Sequence, residues 1–144
     1  MTKRLLLIIL PLWFLATQVK AEYFTITRYD IAVTFAADGS ADFVETIEVK
    51  FTEPRHGIFR FIPYHDVING EAVDRLIKDI GVDGFKFAKS KEENYNLLIK
   101  IGSADTYVEG TQVYRINYHV VNPLNFFEDG HTEFYWDLLG TKWP

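Results

Sequence analysis

From Tyr23 onward, apolar residues recur at every second position, and turn-forming residues interrupt the pattern at short, regular intervals. This pattern constrains the fold more than any other feature of the chain. Side chains at i, i+2 and i+4 share a face only on an extended strand, whereas a helix requires spacings of three and four. Ile31, Val33 and Phe35 fall on one face of a first strand, and Asp30, Ala32 and Thr34 on the other. Asp38-Gly39-Ser40 supplies a tight turn, because glycine accepts the positive φ such a turn demands. A second strand then places Phe43, Ile47, Val49 and Phe51 on one face and Thr46, Glu48 and Lys50 on the other. Two such runs joined by a short glycine loop predict a β-hairpin.

The rest of the chain follows the same rule. His56-Gly57 marks another turn, and Ile58-Phe59-Arg60-Phe61-Ile62 reads as a short strand stopped by Pro63. Residues 64–70 read as a loop. A strand is expected over residues 77–82, with a helix over 73–82 as the alternative that Gly81, Asp83 and Gly84 break early. Short strands are expected at 85–88 and 97–101, separated by a polar turn at 90–94, with a loop over 102–110. Residues 111–121 alternate cleanly, with Val113, Arg115, Asn117 and His119 set against Tyr114, Ile116, Tyr118 and Val120. Asn122-Pro123 ends that strand, a loop follows, and a last strand is expected over 133–136. Seven to nine short strands with little helix predict an all-β fold, an antiparallel immunoglobulin-like β-sandwich.

The N-terminus carries a different signal. Lys3-Arg4 precede an apolar stretch from Leu5 to Leu15, and Val19-Lys20-Ala21 offers small residues at the positions a signal peptidase reads. The apolar core is shorter than the ~20 residues an ordinary membrane span needs. Residues 1–21 are therefore expected to be a signal peptide and residues 22–144 an exported domain at the cell envelope; an uncleaved N-terminal anchor is the alternative. The chain has no cysteine, so it has neither a disulfide framework nor a lipid-modified cysteine, a composition more usual in bacterial than in animal export. Removing the leader takes three of the 15 basic residues and none of the 20 acids, so the domain is more acidic than the net −5 of the whole chain. With no basic stripe to neutralise phosphates, no nucleic-acid partner is expected. At the other end, the aromatic run from Glu133 to Trp143 stops without a closing turn or polar tail. The chain is thus expected to be the front part of a longer protein.

Four blocks carry a family resemblance. They are the segment from Asp38-Gly39-Ser40 to Phe51; His56-Gly57-Ile58-Phe59-Arg60-Phe61-Ile62-Pro63; Tyr114-Arg115-Ile116-Asn117-Tyr118; and Glu133-Phe134-Tyr135-Trp136 with Gly140 and Trp143-Pro144. In order and spacing they resemble the opening of the DUF2207 family of predicted membrane proteins, over nearly all of the chain beyond the leader. The resemblance implies a signal peptide, an extracytoplasmic β-rich domain and transmembrane helices after it. It also implies that the chain's partners include its own missing transmembrane segments. The family's biochemical role is not established, so the resemblance carries no catalytic residue to this chain.

Some residues invite chemistry directly. Glu45 lies on the apolar face of its strand between Phe43 and Ile47, where an unpaired carboxylate costs several kcal/mol. Arg60 is its expected partner, through the bidentate fork a guanidinium offers a carboxylate. A structural ion pair is the expectation; a binding cleft or general acid is the functional alternative. Glu133 and Asp137 flank aromatics as glycosidase acids do, but on a strand they would stand about 13 Å apart, too far for that chemistry. His56, His65, His119 and His131 lack metal-ligand spacing, and the Asp38–Asp42 stretch lacks the acids of a calcium loop, so no metal or cofactor is expected. Phe126, Phe127, Tyr135 and Trp136 are the candidate binding surface; closing the end of the sandwich is their alternative use. The expected function is a binding or interaction module with an envelope protein or glycan as partner. The alternative is a secreted enzyme acting on envelope glycan through acids such as Glu45 or Glu133.

Overall fold

The computed structural model describes residues 23–68 and 70–139. The expected leader and the residues Gly140, Trp143 and Pro144 lie outside the described residues. The described chain is all-β, every pairing is antiparallel, and no helix occurs among the described residues. β1 (Phe24–Phe35) and β2 (Ala41–Arg55) form the expected hairpin. At its tip Gly39 takes φ +84°, and Asp38 Oδ1 accepts hydrogen bonds from the Ser40 amide at 3.0 Å and the Ser40 hydroxyl at 2.6 Å. These oxygens therefore close a turn.

The long strand β9 (Val108–Val120) pairs with β2 on one side and β6 (Ile77–Val82) on the other, giving a four-stranded sheet in the order β1-β2-β9-β6. A three-stranded sheet runs β3-β8-β7, built from β3 (Gly57–Pro63), β7 (Phe87–Lys91) and β8 (Asn96–Gly102). One hydrophobic cluster joins the two sheets. The larger sheet contributes Phe43, Ile47, Val49, Tyr114, Ile116 and Val120, and the smaller sheet Ile58, Ile62, Ile99 and Ile101. The period-two faces read from the sequence are the faces this core uses.

The chain passes from β2 to β3, and so between sheets, at the turn expected at His56-Gly57, which forms a corner. Gly57 and Gly102 are paired there, at φ +127° and +124°. A Cβ on Gly57 would lie 1.8 Å from the Ile101 carbonyl oxygen, and one on Gly102 would lie 1.8 Å from that of His56. Each glycine thus makes room for backbone on the opposite strand.

Two further hairpins departed from expectation. Residues 64–70, expected to be loop, contain β4 (His65–Ile68), which pairs with β5 (Glu71–Asp74). The segment after Pro123 contains β10 (Leu124–Phe126), paired with β11 (Thr132–Phe134), and the last strand ends before Tyr135 and Trp136. These strands bury few side chains and so carry little alternation; backbone pairing alone defines them. β7 extends over the first two residues of the expected polar turn, to Lys91, with the turn itself following, and β9 starts inside the expected loop.

The corner makes a direct prediction. Gly57→Ala and Gly102→Ala should each destabilise the domain by at least about 2 kcal/mol, because the methyl meets rigid backbone in a conformation L residues avoid. Urea unfolding followed by tryptophan fluorescence measures this. A cost indistinguishable from that of an exposed-site Gly→Ala control would contradict the close approach.

Candidate functional site

Two polar constellations stand out, one sealed in the core and one open to solvent. In the core, Glu45 is 0 % and Arg60 1 % exposed. Arg60 reaches from β3 to β2, donating from Nε to Glu45 Oε2 at 2.7 Å and from Nη2 to Oε1 at 2.8 Å. The Tyr29 hydroxyl donates to Oε2 and the Tyr118 hydroxyl to Oε1, each at 2.8 Å, so the carboxylate receives four hydrogen bonds. Arg60 also donates to the carbonyls of Phe61 at 2.5 Å and Leu138 at 2.8 Å. The pair is therefore solvated by protein groups in place of water.

The electrostatics follow from burial. Burial opposes the Arg60 charge, but the hydrogen bonds and charge of Glu45 outweigh it and hold the guanidinium pKa above its ordinary value. Burial first, and then the negative charge of Glu45, push the Tyr29 and Tyr118 phenols well above the ordinary value of 10.0. Burial alone pushes Tyr114 up to about 12. Because no solvent reaches Glu45, no substrate reaches it in this structure, and the network suits holding the two sheets together better than proton transfer. Glu133 and Asp137, the other acids considered for catalysis, are both exposed.

The open constellation lies between the β4–β5 and β10–β11 hairpins. A groove of about 680 Å³ there is lined by Val73, Leu124, Phe126 and Phe127, with Glu71, Glu128 and Asp129 among its polar residues. Phe126 is 75 % exposed, and Phe127 stacks on His131 with ring centroids 4.1 Å apart. A smaller cavity of about 220 Å³ is lined by Tyr64, His65, Tyr135 and Trp136. The four aromatics singled out from the sequence thus divide between two cavities. Tyr135 is 60 % exposed, whereas Trp136 is half-buried and packs on Phe43 at 5.2 Å. Trp136 therefore serves the core as well as the rim.

Sequence reasoning missed Arg75, which lines both cavities. It sits between β5 and β6, where neither periodicity nor a motif distinguishes it. Asn122 fixes its segment: the Asn122 amide donates to the Asp74 carbonyl at 3.1 Å, and Asn122 Oδ1 accepts from the Leu76 amide at 3.1 Å.

The histidines pair with acids or carbonyls one by one. His65, His119 and His131 bond to Asp74, Asp42 and Asp129, and His56 Nδ1 contacts the carbonyls of Ser103 and Thr106. Among the described residues no three His, Asp or Glu side chains are grouped to hold a metal ion.

Fold and site together define an all-β domain, among the described residues, of two main antiparallel sheets and two small hairpins, with a sealed ion pair and an aromatic-rimmed groove. The chain matches the DUF2207 family model, described as the N-terminal domain of a predicted membrane protein, over residues 25–144. It belongs to that family. Comparison with curated proteins and with solved structures finds no match. Among the described residues no helix is long and apolar enough to cross a membrane.

Two predictions follow from the sealed network. Glu45→Gln and Arg60→Met should each cost about 3–5 kcal/mol, and the double variant should fall short of their sum by about 1 kcal/mol or more. A double-mutant cycle in urea that proves additive would dismiss the coupling. The tyrosines give a pH dependence. Their folded pKa values lie above the unfolded value of 10.0, so above pH 10 the native state holds more protons than the unfolded chain. Stability should therefore be unaffected by these groups below pH 10 and fall as pH rises beyond it. The share of tyrosinate absorbance due to these three should then appear in step with unfolding, and a free, non-cooperative titration of every tyrosine near pH 10 would contradict their burial.

Proposed function

We propose that this chain is the extracytoplasmic domain of a membrane protein and works there as a binding module at the cell envelope. The observation that carries this reading is the groove between the two small hairpins, where Phe126 stands exposed beside polar groups. Its volume of about 680 Å³ lies within the ~300–1,000 Å³ usual for ligand sites. An exposed large aromatic is costly to leave in water and valuable at a contact, which favours a partner over an idle surface. The family's membrane character supports a position against the envelope, and the leader pattern of residues 1–21 supports an outward orientation. Partners in this reading are the protein's own transmembrane segments and an envelope protein or glycan.

The module is read as a sandwich with immunoglobulin-like layering, four strands over three around one core. Its strand order is its own. An immunoglobulin constant domain pairs its fifth strand beside the second, whereas here that place belongs to β9, the last long strand.

Orientation and binding have separate tests. Alkaline phosphatase fused after residue 139 should be active in cells, and the same fusion lacking residues 1–21 should be inactive; equal activity of the two would refute export by this leader. For binding, the purified chain should co-sediment with isolated envelope. Phe126→Ser should weaken that association by about fivefold or more while changing stability by less than about 0.5 kcal/mol. Unchanged sedimentation of the variant would remove the groove as the contact.

A further inference from the structure

The five arginines among the described residues differ in how their charge is met. Arg28, Arg55, Arg60 and Arg115 pair with Asp30, Glu53, Glu45 and Asp83. Among the described residues no carboxylate lies within ion-pair distance of Arg75, yet it is only 6 % exposed. Its guanidinium donates to two neutral oxygens, the Asn122 carbonyl at 2.8 Å and Asn125 Oδ1 at 2.6 Å, and Asn125 is itself buried. Carbonyl dipoles orient a buried cation without neutralising it. Burial accordingly pulls the Arg75 pKa below its ordinary value, and the Asp66 charge opposes that pull.

The placement is specific as well. Arg75 lines the large groove and the small cavity together; Asp66 and Asp137 share the small cavity with it, so its charge is offered chiefly to an occupant of the large groove. It is also held in place. Its own amide donates to the Tyr64 carbonyl at 2.6 Å, the amide of Val121 donates to the Leu76 carbonyl at 3.1 Å, and Asn122 braces the residues on both sides. A cation fixed before binding loses little freedom on meeting its ligand.

We propose that Arg75 is the anion-recognising residue of this groove, and that its ligand is a peptide whose free C-terminal carboxylate pairs with the guanidinium. The inference rests on the binding-module reading and deepens it. A guanidinium has five N–H donors, and the two bonds to Asn122 and Asn125 leave donors for a carboxylate. The remaining groove chemistry selects the class. Val73, Leu124 and Phe126 offer an apolar wall for a terminal side chain. Glu71, Glu128 and Asp129 surround the site with negative charge, which repels a polyanion such as an acidic polysaccharide. A peptide end carries one carboxylate, and its backbone N–H groups suit acidic neighbours.

The test uses the purified, isotope-labelled chain and two probes, N-acetyl-Ala-Ala-Leu with a free C-terminus and the same peptide amidated. The free acid should shift the Arg75 side-chain N–H resonance and the amides of Val73, Leu124 and Phe126, and should bind at least tenfold more tightly than the amide. Arg75→Lys should erase most of that preference, because an ammonium lacks the planar fork. The acid–amide comparison on the unaltered chain decides the matter even if the variant folds poorly. Equal groove shifts with both peptides would overturn carboxylate recognition while leaving the groove as a binding site. Groove shifts with a glucuronate disaccharide and with neither peptide would overturn the peptide class. No groove shift with any probe would overturn the inference, and the Phe126→Ser sedimentation result then decides separately whether the binding-module reading falls with it.

Discussion

The Glu45–Arg60 ion pair crosses between the two main sheets in the middle of the core. Apolar contacts hold layers together without dictating how one is turned against the other, since burial is rewarded in any orientation that excludes water. The Glu45–Arg60 fork is directional, and it is satisfied only when β2 and β3 face each other at the observed positions. Tyr29 and Tyr118 complete the carboxylate's shell from β1 and β9, so four strands meet at one buried charge. The segment beyond β11 is tied in as well, because the Leu138 carbonyl accepts from both Arg60 and Tyr29. The pair thus orients the layers and fastens the chain's last described residues to them.

The corner at Gly57 and Gly102 complements this pair. It lets backbone approach backbone where β2 becomes β3, which brings Arg60 over Glu45 only 15 positions along the chain. A side chain at either glycine would push the strands apart where the crossing must be closest. A polar pair can therefore sit inside an otherwise hydrophobic core because the corner fixes the geometry that the pair requires.

The groove depends on this frame indirectly. Its walls are hairpins with little core of their own, and Asn122 and Asn125, just beyond β9, hold Arg75 against them. Local stability is low where few side chains are buried, and binding surfaces are commonly drawn from such regions on a rigid support. The contrast between the charged centres is instructive. Arg60 is hydrogen-bonded to a full carboxylate and closes the fold, whereas Arg75 donates to carbonyl oxygens and lines a cavity.

Much of this was legible in the residues themselves. Period two fixed the faces of β2 and β9 and placed Glu45 among apolar neighbours, because alternation records which side of a strand is buried. Arg60 was a readable partner, since few side chains can accompany a buried carboxylate. The hairpins β4–β5 and β10–β11 were not legible, because strands that bury little leave no alternation to find. Nor was Arg75, whose importance arises from Asn122 and Asn125, 47 and 50 positions away. The sequence by itself determined that the chain would be sheet, which faces would turn inward, and which charge would need a companion. Only the tertiary structure decided that β9 would lie between β2 and β6, and that an arginine bonded to carbonyl oxygens rather than paired with a carboxylate would line a groove. Patterning is a property of neighbours along the chain, whereas strand order and charge compensation are set by contacts between residues far apart in it.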